Sequence, residues 1–200
     1  MSHYYDRNPT AGHDRAMIEA EVRGIKLRFV TDAGVFAKHG LDFGSRLLIE
    51  TMEIPPGARV LDVGCGYGPI GLFAARITPD AQVTMIDVNE RAVALAKENA
   101  AAGGIDRAEI LQSDLYEAVR GRTFDVIVTN PPIRAGKNVV HRIFEEAPAH
   151  LNPGGALWIV IQKKQGAPSA WAKLETIFAA VEAVEKRKGY WIIKASQPRG

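Results

Sequence analysis

The chain has 200 residues, 46% of them hydrophobic, and a formal net charge of +2, which suits one domain with a single core and leaves little for a second. Its one cysteine, Cys65, rules out an intrachain disulfide, and the opening Met-Ser-His-Tyr-Tyr-Asp has no apolar leader. No apolar run reaches membrane-spanning length, the strongest being Leu157 to Ile161, so a cytoplasmic setting without a membrane partner is expected.

In chain order, Met1 to Gly12 reads as a loosely held tail. Gly24 to Val30 reads as a short strand, and Gly44 to Met52 as a helix. From Arg59 onward apolar runs alternate with helical patterns. Strands are expected at 59–63, 82–87, 108–112, 124–129, 156–162, near 183–187 and at 190–195, with helices at 69–77, 89–102, 138–150 and 169–181. Asn89 suits an N-cap, Gly103 a helix stop, and Asn152-Pro153-Gly154-Gly155 a break before the strand at Ala156. Lys188-Gly189 suits the turn of an antiparallel pair. Alternation of this kind implies βαβ units and a mostly parallel sheet. Charge is uneven: residues 163–200 hold eight Lys/Arg against three Asp/Glu, a surplus of +5, while residues 1–162 carry −3. A basic carboxyl-terminal part suits an anionic partner such as RNA and equally suits an ordinary solvated surface.

The most informative segment is Val60-Leu-Asp62-Val-Gly64-Cys65-Gly66-Tyr-Gly68-Pro69-Ile-Gly71, a strand that runs into a glycine loop and then a helix. The glycines permit sharp turns and close approach of the backbone to a ligand, and Pro69 suits the first helical position. Gly66-x-Gly68-x-x-Gly71 satisfies the dinucleotide fingerprint, which would bind a pyrophosphate. Asp62, two residues before the first glycine, disfavours that anion and suits S-adenosylmethionine, which brings an amino-acid end and a sulfonium but no phosphate. Asp62 also suits capping of its own loop, and the two roles are compatible.

In open α/β sheets ligands lie beyond the carboxyl ends of the parallel strands. Here those ends deliver Asp62 and the loop, Asp87, Ser113-Asp114, Asn130-Pro131-Pro132-Ile133, and Gln162-Lys163-Lys164. Asp87 falls where a carboxylate accepts both ribose hydroxyls of an adenosine. Asp114 suits the adenine amino group, with Leu115 or Val88 against the ring, and equally suits a helix N-cap. The two prolines after Asn130 donate no N–H, so this turn presents two acceptors, the Asn130 side-chain oxygen and the Pro131 carbonyl. Two acceptors suit an –NH₂ group: they draw a conjugated nitrogen toward tetrahedral geometry and aim its lone pair at the sulfonium methyl.

On these motifs the sequence resembles the class I S-adenosylmethionine-dependent methyltransferases that modify exocyclic or amide nitrogens. Phe29-Val-Thr-Asp-Ala-Gly34-Val-Phe36 and Leu41-Asp-Phe-Gly-Ser45-Arg-Leu-Leu-Ile49 narrow the resemblance to the ribosomal RNA small subunit methyltransferase C-like family, over Tyr4 to Ala195. It implies a Rossmann-like α/β fold, with a mostly parallel seven-stranded sheet, an antiparallel carboxyl-terminal strand and helices on both faces. Residues 1–55 would be a family-specific segment and residues 56–200 the cofactor-binding and catalytic core. The implied reaction is methylation of guanine N2 in ribosomal RNA, with S-adenosylhomocysteine as product. Asn130, Pro131, Pro132 and Ile133 would be catalytic. Asp62, Gly64, Cys65, Gly66, Gly68, Asp87, Val88, Asp114, Leu115 and Asn130 would hold the cofactor. Phe36, Arg134, Lys137, Lys163 and Lys164 are candidates for RNA contact, the four cations by phosphate.

The sequence departs from the family in two ways. Longer members carry two tandem methyltransferase-like domains, and many amino-nitrogen methyltransferases place an aromatic where Ile133 stands. A protein amide or a small amine therefore remains an alternative acceptor, and a non-catalytic binding module a further reading. His141 and His150, nine apart on one helix, show no metal-ligand pattern, and no metal is expected.

Overall fold

In the computed structural model, residues 5–200 are described, and they form a two-stranded and a seven-stranded sheet with five α-helices. The smaller sheet is an antiparallel hairpin of β1 (Ala16–Val22) and β2 (Ile25–Thr31). Helix α1 (Phe43–Thr51) follows, then β3 (Arg59–Val63), α2 (Pro69–Ile77), β4 (Gln82–Asp87), α3 (Glu90–Ala102), β5 (Ala108–Gln112), β6 (Phe124–Thr129) and α4 (Lys137–Glu146). The chain ends with β7 (Leu151–Gln162), α5 (Ala167–Ile177), β8 (Phe178–Arg187) and β9 (Tyr190–Pro198).

The large sheet has the order β5-β4-β3-β6-β7-β9-β8, parallel throughout except at β9, which runs antiparallel to both neighbours. This is the expected Rossmann-like sheet with helices on both faces. Period-two alternation places successive side chains in opposite layers. Val60, Val126, Trp158 and Val160 pack with α1, α2, α3 and the β1–β2 hairpin. Leu61, Val63, Ile127, Leu157 and Ile159 pack with α4 and α5. Burial on both faces explains why these strands read as continuous apolar runs.

Chain direction across the sheet reverses between β3 and β6, so their carboxyl ends open a crevice. Val63 pairs with Thr129, which brings Gly64 and Asn130 out of the sheet side by side. Thr129 Oγ donates to Val63 O at 2.8 Å and fixes that junction.

Several boundaries differ from expectation. Strand β1 was absent from the sequence reading although Ile18-Glu-Ala-Glu-Val22 alternates, because the run is short, its central inward residue is the small Ala20, and Met17, 67% exposed, puts an apolar side chain on the open face. Helix α4 stops at Glu146, because Pro148 cannot continue an α-helix, and a 3₁₀ turn completes the segment to His150. The Asn152–Gly155 segment lies inside a strand that begins at Leu151; the register with β6 shifts there, and Asn152 Nδ2 donates to Asp125 Oδ1. Residues 178–181 belong to β8 rather than to α5: Phe178, fully buried, is both helix cap and first strand residue, leaving no loop to mark the change. The segment to Gly12 is held, at least from Arg7. Glu90 N donates to Arg7 O at 2.9 Å, and Arg91 Nη2 to Ala11 O at 2.8 Å. Its first four residues lie outside the described ones.

Candidate functional site

One pocket lies at the β3–β6 crevice. Gly64, Cys65, Gly66 and Tyr67 form its floor, with Asp87 and Val88 from β4, Leu115 after β5, and Asn130 to Arg134 after β6. Residues 35–37, Asp42 and Ser45 close another side. Most candidate residues thus converge here: Phe36, Gly64, Cys65, Gly66, Asp87, Val88, Leu115, Asn130, Pro131, Pro132, Ile133 and Arg134 all line it. Asp62 and Gly68 lie behind the loop. Asp114, Lys137, Lys163 and Lys164 are exposed near the rim rather than lining it.

The glycine loop is built by local rules. Gly66 has φ +57°, and a Cβ added there would meet nothing within 4 Å, so its missing side chain leaves the space above the loop open. Gly71 serves a different purpose: a Cβ would come within 2.7 Å of Met85, so the glycine lets α2 pack directly on β4. Cys65 is buried, and burial followed by Asp87 and Asp62 pushes its thiol well up, which fits a small loop residue rather than a reactive thiolate.

Asp62 is fully buried. Its Oδ2 accepts from Gly71 N at 3.0 Å, while Oδ1 has no protein partner. Burial raises its carboxyl to about 7, against the pull of the Gly71 N–H. Asp87 is similarly pushed up to about 6 by burial, despite backbone N–H groups of Asn89, Gly66 and Val88. Its oxygens accept from Gly66 N and Asn89 N at 2.8 Å each, fixing the carboxylate across the loop. The Tyr67 hydroxyl is a second buried polar atom without a partner, and burial and then Asp42 push its ionisation up. Two orphaned polar groups beside one open glycine loop are what a polar ligand would satisfy.

At the other side of the pocket, Asn130 Nδ2 donates to Asp42 Oδ2 at 3.2 Å and to Ser45 Oγ at 3.0 Å. A carboxylate oxygen only accepts, so the amide nitrogen must face Asp42, and Oδ1 is left as the acceptor for a pocket ligand. Asp42 is also the N-cap of α1, accepting from Ser45 N at 2.9 Å, so the helix that orients Asn130 is secured by the same side chain. Sequence reasoning missed Asp42 and Ser45 as site residues; the N-cap spacing of Asp42 before the expected helix was the available signal. It also missed Tyr5, Tyr67 and Gln165 in the lining.

The amino-terminal hairpin is tied to this core by Asn99. This buried side chain accepts from Val30 N at 2.7 Å and donates to Val30 O and Tyr67 O at 3.0 and 2.9 Å, using both of its donors and one of its two acceptor positions. At the carboxyl end, Lys163 N donates to Gly189 O at 2.7 Å, and Lys188 Nζ lies 5.0 Å from the centre of the Phe43 ring. The β8–β9 turn therefore joins the Lys163–Lys164 turn next to α1. Among the described residues no group of three His, Cys, Asp or Glu could hold a metal, and no helix is long and apolar enough to cross a membrane.

The methyltransferase small domain model matches residues 26–194. A Bacillus subtilis protein, the uncharacterized protein YbxB, is 53% identical over 197 residues, covering 98% of both chains. Ribosomal RNA small subunit methyltransferase C of Escherichia coli is 36% identical over 159 residues, covering 78% of this chain and 45% of that protein. Among solved structures, the Thermus thermophilus 16S rRNA N2 methyltransferase (RsmC) in complex with AdoMet and guanosine superposes with a TM-score of 0.83 at 29% identity, over 94% of this chain and 52% of that one. The chain thus spans about half the length of these two RNA methyltransferases.

Proposed function

The chain belongs to the methyltransferase small domain family, and from that premise we propose that it methylates guanine N2 in ribosomal RNA. S-adenosylmethionine is the cofactor, and this chain's residues fit it. In our reading the orphaned Asp62 Oδ1 and the open loop at Gly64 and Gly66 take the amino-acid end, and Asp87 takes the ribose hydroxyls. Leu115 and Val88 flank the adenine, with Asp114 at the rim.

When bound, the cofactor supplies an electrophilic methyl on a sulfonium. The observation that carries the acceptor half is the fixed amide of Asn130, turned by Asp42 and Ser45 so that Oδ1 faces the pocket. Asn130 Oδ1 and the Pro131 carbonyl hold the two hydrogens of an –NH₂ group, and its lone pair points toward the glycine loop. Pro132 keeps this turn rigid, and Ile133 packs at the acceptor side. Preorganised acceptors of this kind act where charge develops, since the nitrogen becomes cationic as the methyl arrives and then sheds a proton.

Guanine is favoured over other amines by the likeness to the RsmC proteins, one of them solved with guanosine. RNA is favoured over protein by the cations round the mouth. Arg134 lines it, Lys137 begins the following helix, and Lys163, Lys164 and Lys188 meet at the β8–β9 turn. Phe36, 44% exposed at the pocket, offers a ring for the target base in place of an aromatic at Ile133. A base in a duplex would be extruded to reach it. The arrangement suits a cytoplasmic enzyme acting on ribosomal RNA, with residues 56–200 carrying most of the cofactor contacts and catalysis, and residues 35–45 completing the acceptor side.

Transfer of labelled methyl from S-adenosylmethionine to a bacterial extract, separated into RNA, protein and metabolite fractions, tests this reading. Label is expected in RNA; label confined to protein or to small amines would refute it.

A further inference from the structure

Residues 5–14 form a strap that crosses the start of α3 and is fastened along its length. Asp32 accepts from the His13 ring and from Asp14 N, both at 2.6 Å. Arg91 holds Ala11 O and Ala33 O at 2.8 and 2.7 Å. Pro9 lies against Gly34 so closely that a Cβ there would come within 3.1 Å of the proline ring. Arg7 O accepts the N–H of Glu90, one of the first-turn donors of α3 that have no partner within the helix. Chain ends are ordinarily loose unless tied down, and these ties lead to one point.

That point is Tyr5, which lines the pocket. Its phenol is raised by burial and then by Asp114 and Asp87, with Arg142 of α4 acting the other way. Tyr5 therefore shares the pocket with Asp87, Val88 and Leu115, the groups read as the adenosine end. Leu115, Val88 and Ile143 offer apolar surface in the same lining.

We infer that Tyr5 is a cofactor-binding side chain, its ring covering the purine of S-adenosylmethionine while the 5–14 strap acts as the clasp that holds it there. This rests on the reading of the pocket as an S-adenosylmethionine site. A flat ring suits the role because an aromatic stacks on a purine whatever its hydrogen bonds, and loss of such a contact is felt as affinity.

Calorimetric titration of wild type, Tyr5→Ala and Tyr5→Phe with S-adenosylhomocysteine and with 5′-methylthioadenosine tests it. The second ligand keeps the adenosine and lacks the amino-acid end. Tyr5→Ala is expected to weaken both ligands by the same factor, roughly tenfold or more, while Tyr5→Phe stays within about twofold of wild type. The melting temperature of the cofactor-free protein should be unchanged by either substitution. Equal affinities in wild type and Tyr5→Ala would overturn the clasp, as would loss for S-adenosylhomocysteine alone. Failure of the wild type to bind either ligand would overturn the cofactor reading and the clasp with it.

Discussion

The two halves of the pocket are built in different ways. The cofactor half is centred on one stretch of chain: Asp62, Gly64, Gly66, Gly71 and Asp87 are joined by hydrogen bonds between the glycine loop, α2 and the neighbouring strand end, with Leu115 and Tyr5 added from outside it. Its geometry is fixed by backbone, by the buried Asp62 carboxylate and by the partly buried Asp87 carboxylate. The acceptor half is assembled from distant pieces, since Asn130 takes its orientation from Asp42 and Ser45, 88 and 85 residues earlier. The difference teaches that the centre of a cofactor cradle is specified locally, whereas the face opposite it is specified by tertiary structure.

Breaking the two halves separately should give opposite phenotypes. Asn130→Ala removes an acceptor that matters most as charge develops, so kcat should fall by about 10²–10³ while S-adenosylhomocysteine affinity stays nearly unchanged. Asp87→Ala should do the reverse, weakening that affinity roughly tenfold to a hundredfold, with a much smaller effect on transfer at saturating cofactor. Rapid-quench turnover and calorimetry on the same preparations check both, and a shared phenotype would collapse the distinction.

Proton linkage sharpens the comparison because the raised carboxyls lie in the cofactor half alone. Asp62 at about 7 and Asp87 at about 6 retain protons in the folded chain that the unfolded chain sheds near pH 4. Stability of the cofactor-free protein should therefore decline as pH rises from about 4 to about 7, and these groups should add no further slope above that. Cofactor affinity should move oppositely over the acidic part of this range, gaining up to about tenfold per pH unit as Asp62 ionises toward the ammonium of the amino-acid end. Denaturant titrations of wild type and Asp62→Asn check the first statement, since the substitution should flatten much of the slope; pH-dependent calorimetry checks the second.

The smallest expected effect separates positioning from contact. Asp42→Ala frees the Asn130 amide to rotate and should lower kcat by about tenfold, with cofactor affinity unchanged. It also removes the α1 N-cap, which should cost about 1 kcal/mol in a denaturant titration. Asp42→Ser, which can still cap α1 but is too short to hold Asn130, should recover the stability and not the rate.

The same contrast explains what the sequence made legible. The strand–loop–helix at Val60 to Gly71, the Asp87 strand end and the Asn130-Pro-Pro turn each carry their signal in adjacent residues, and the structure brings them to one rim. Strand β1 was hidden because its alternating run is short, with the small Ala20 at its inward centre, and its outer face exposes Met17. The strap was read as loose because Arg7 and Ala11 are held through their carbonyl oxygens, which leave no side-chain signature. Asp42, two residues before the expected helix start, carries no hint of Asn130, because their meeting depends on how α1 packs against β7, α2 and β9. Helix and strand meet without a loop at Phe178, and Ala-Ala-Val after it fits either period until β9 pairs with it.

The central claim is that the acceptor half presents guanine N2 of ribosomal RNA to the cofactor methyl. Nucleoside mass spectrometry of ribosomal RNA, after incubating small ribosomal subunits with the protein and isotopically labelled S-adenosylmethionine, tests it most directly. Labelled N2-methylguanosine, absent with Asn130→Ala, is the predicted result; label in any other nucleoside, or RNA without label while protein is methylated, would contradict it.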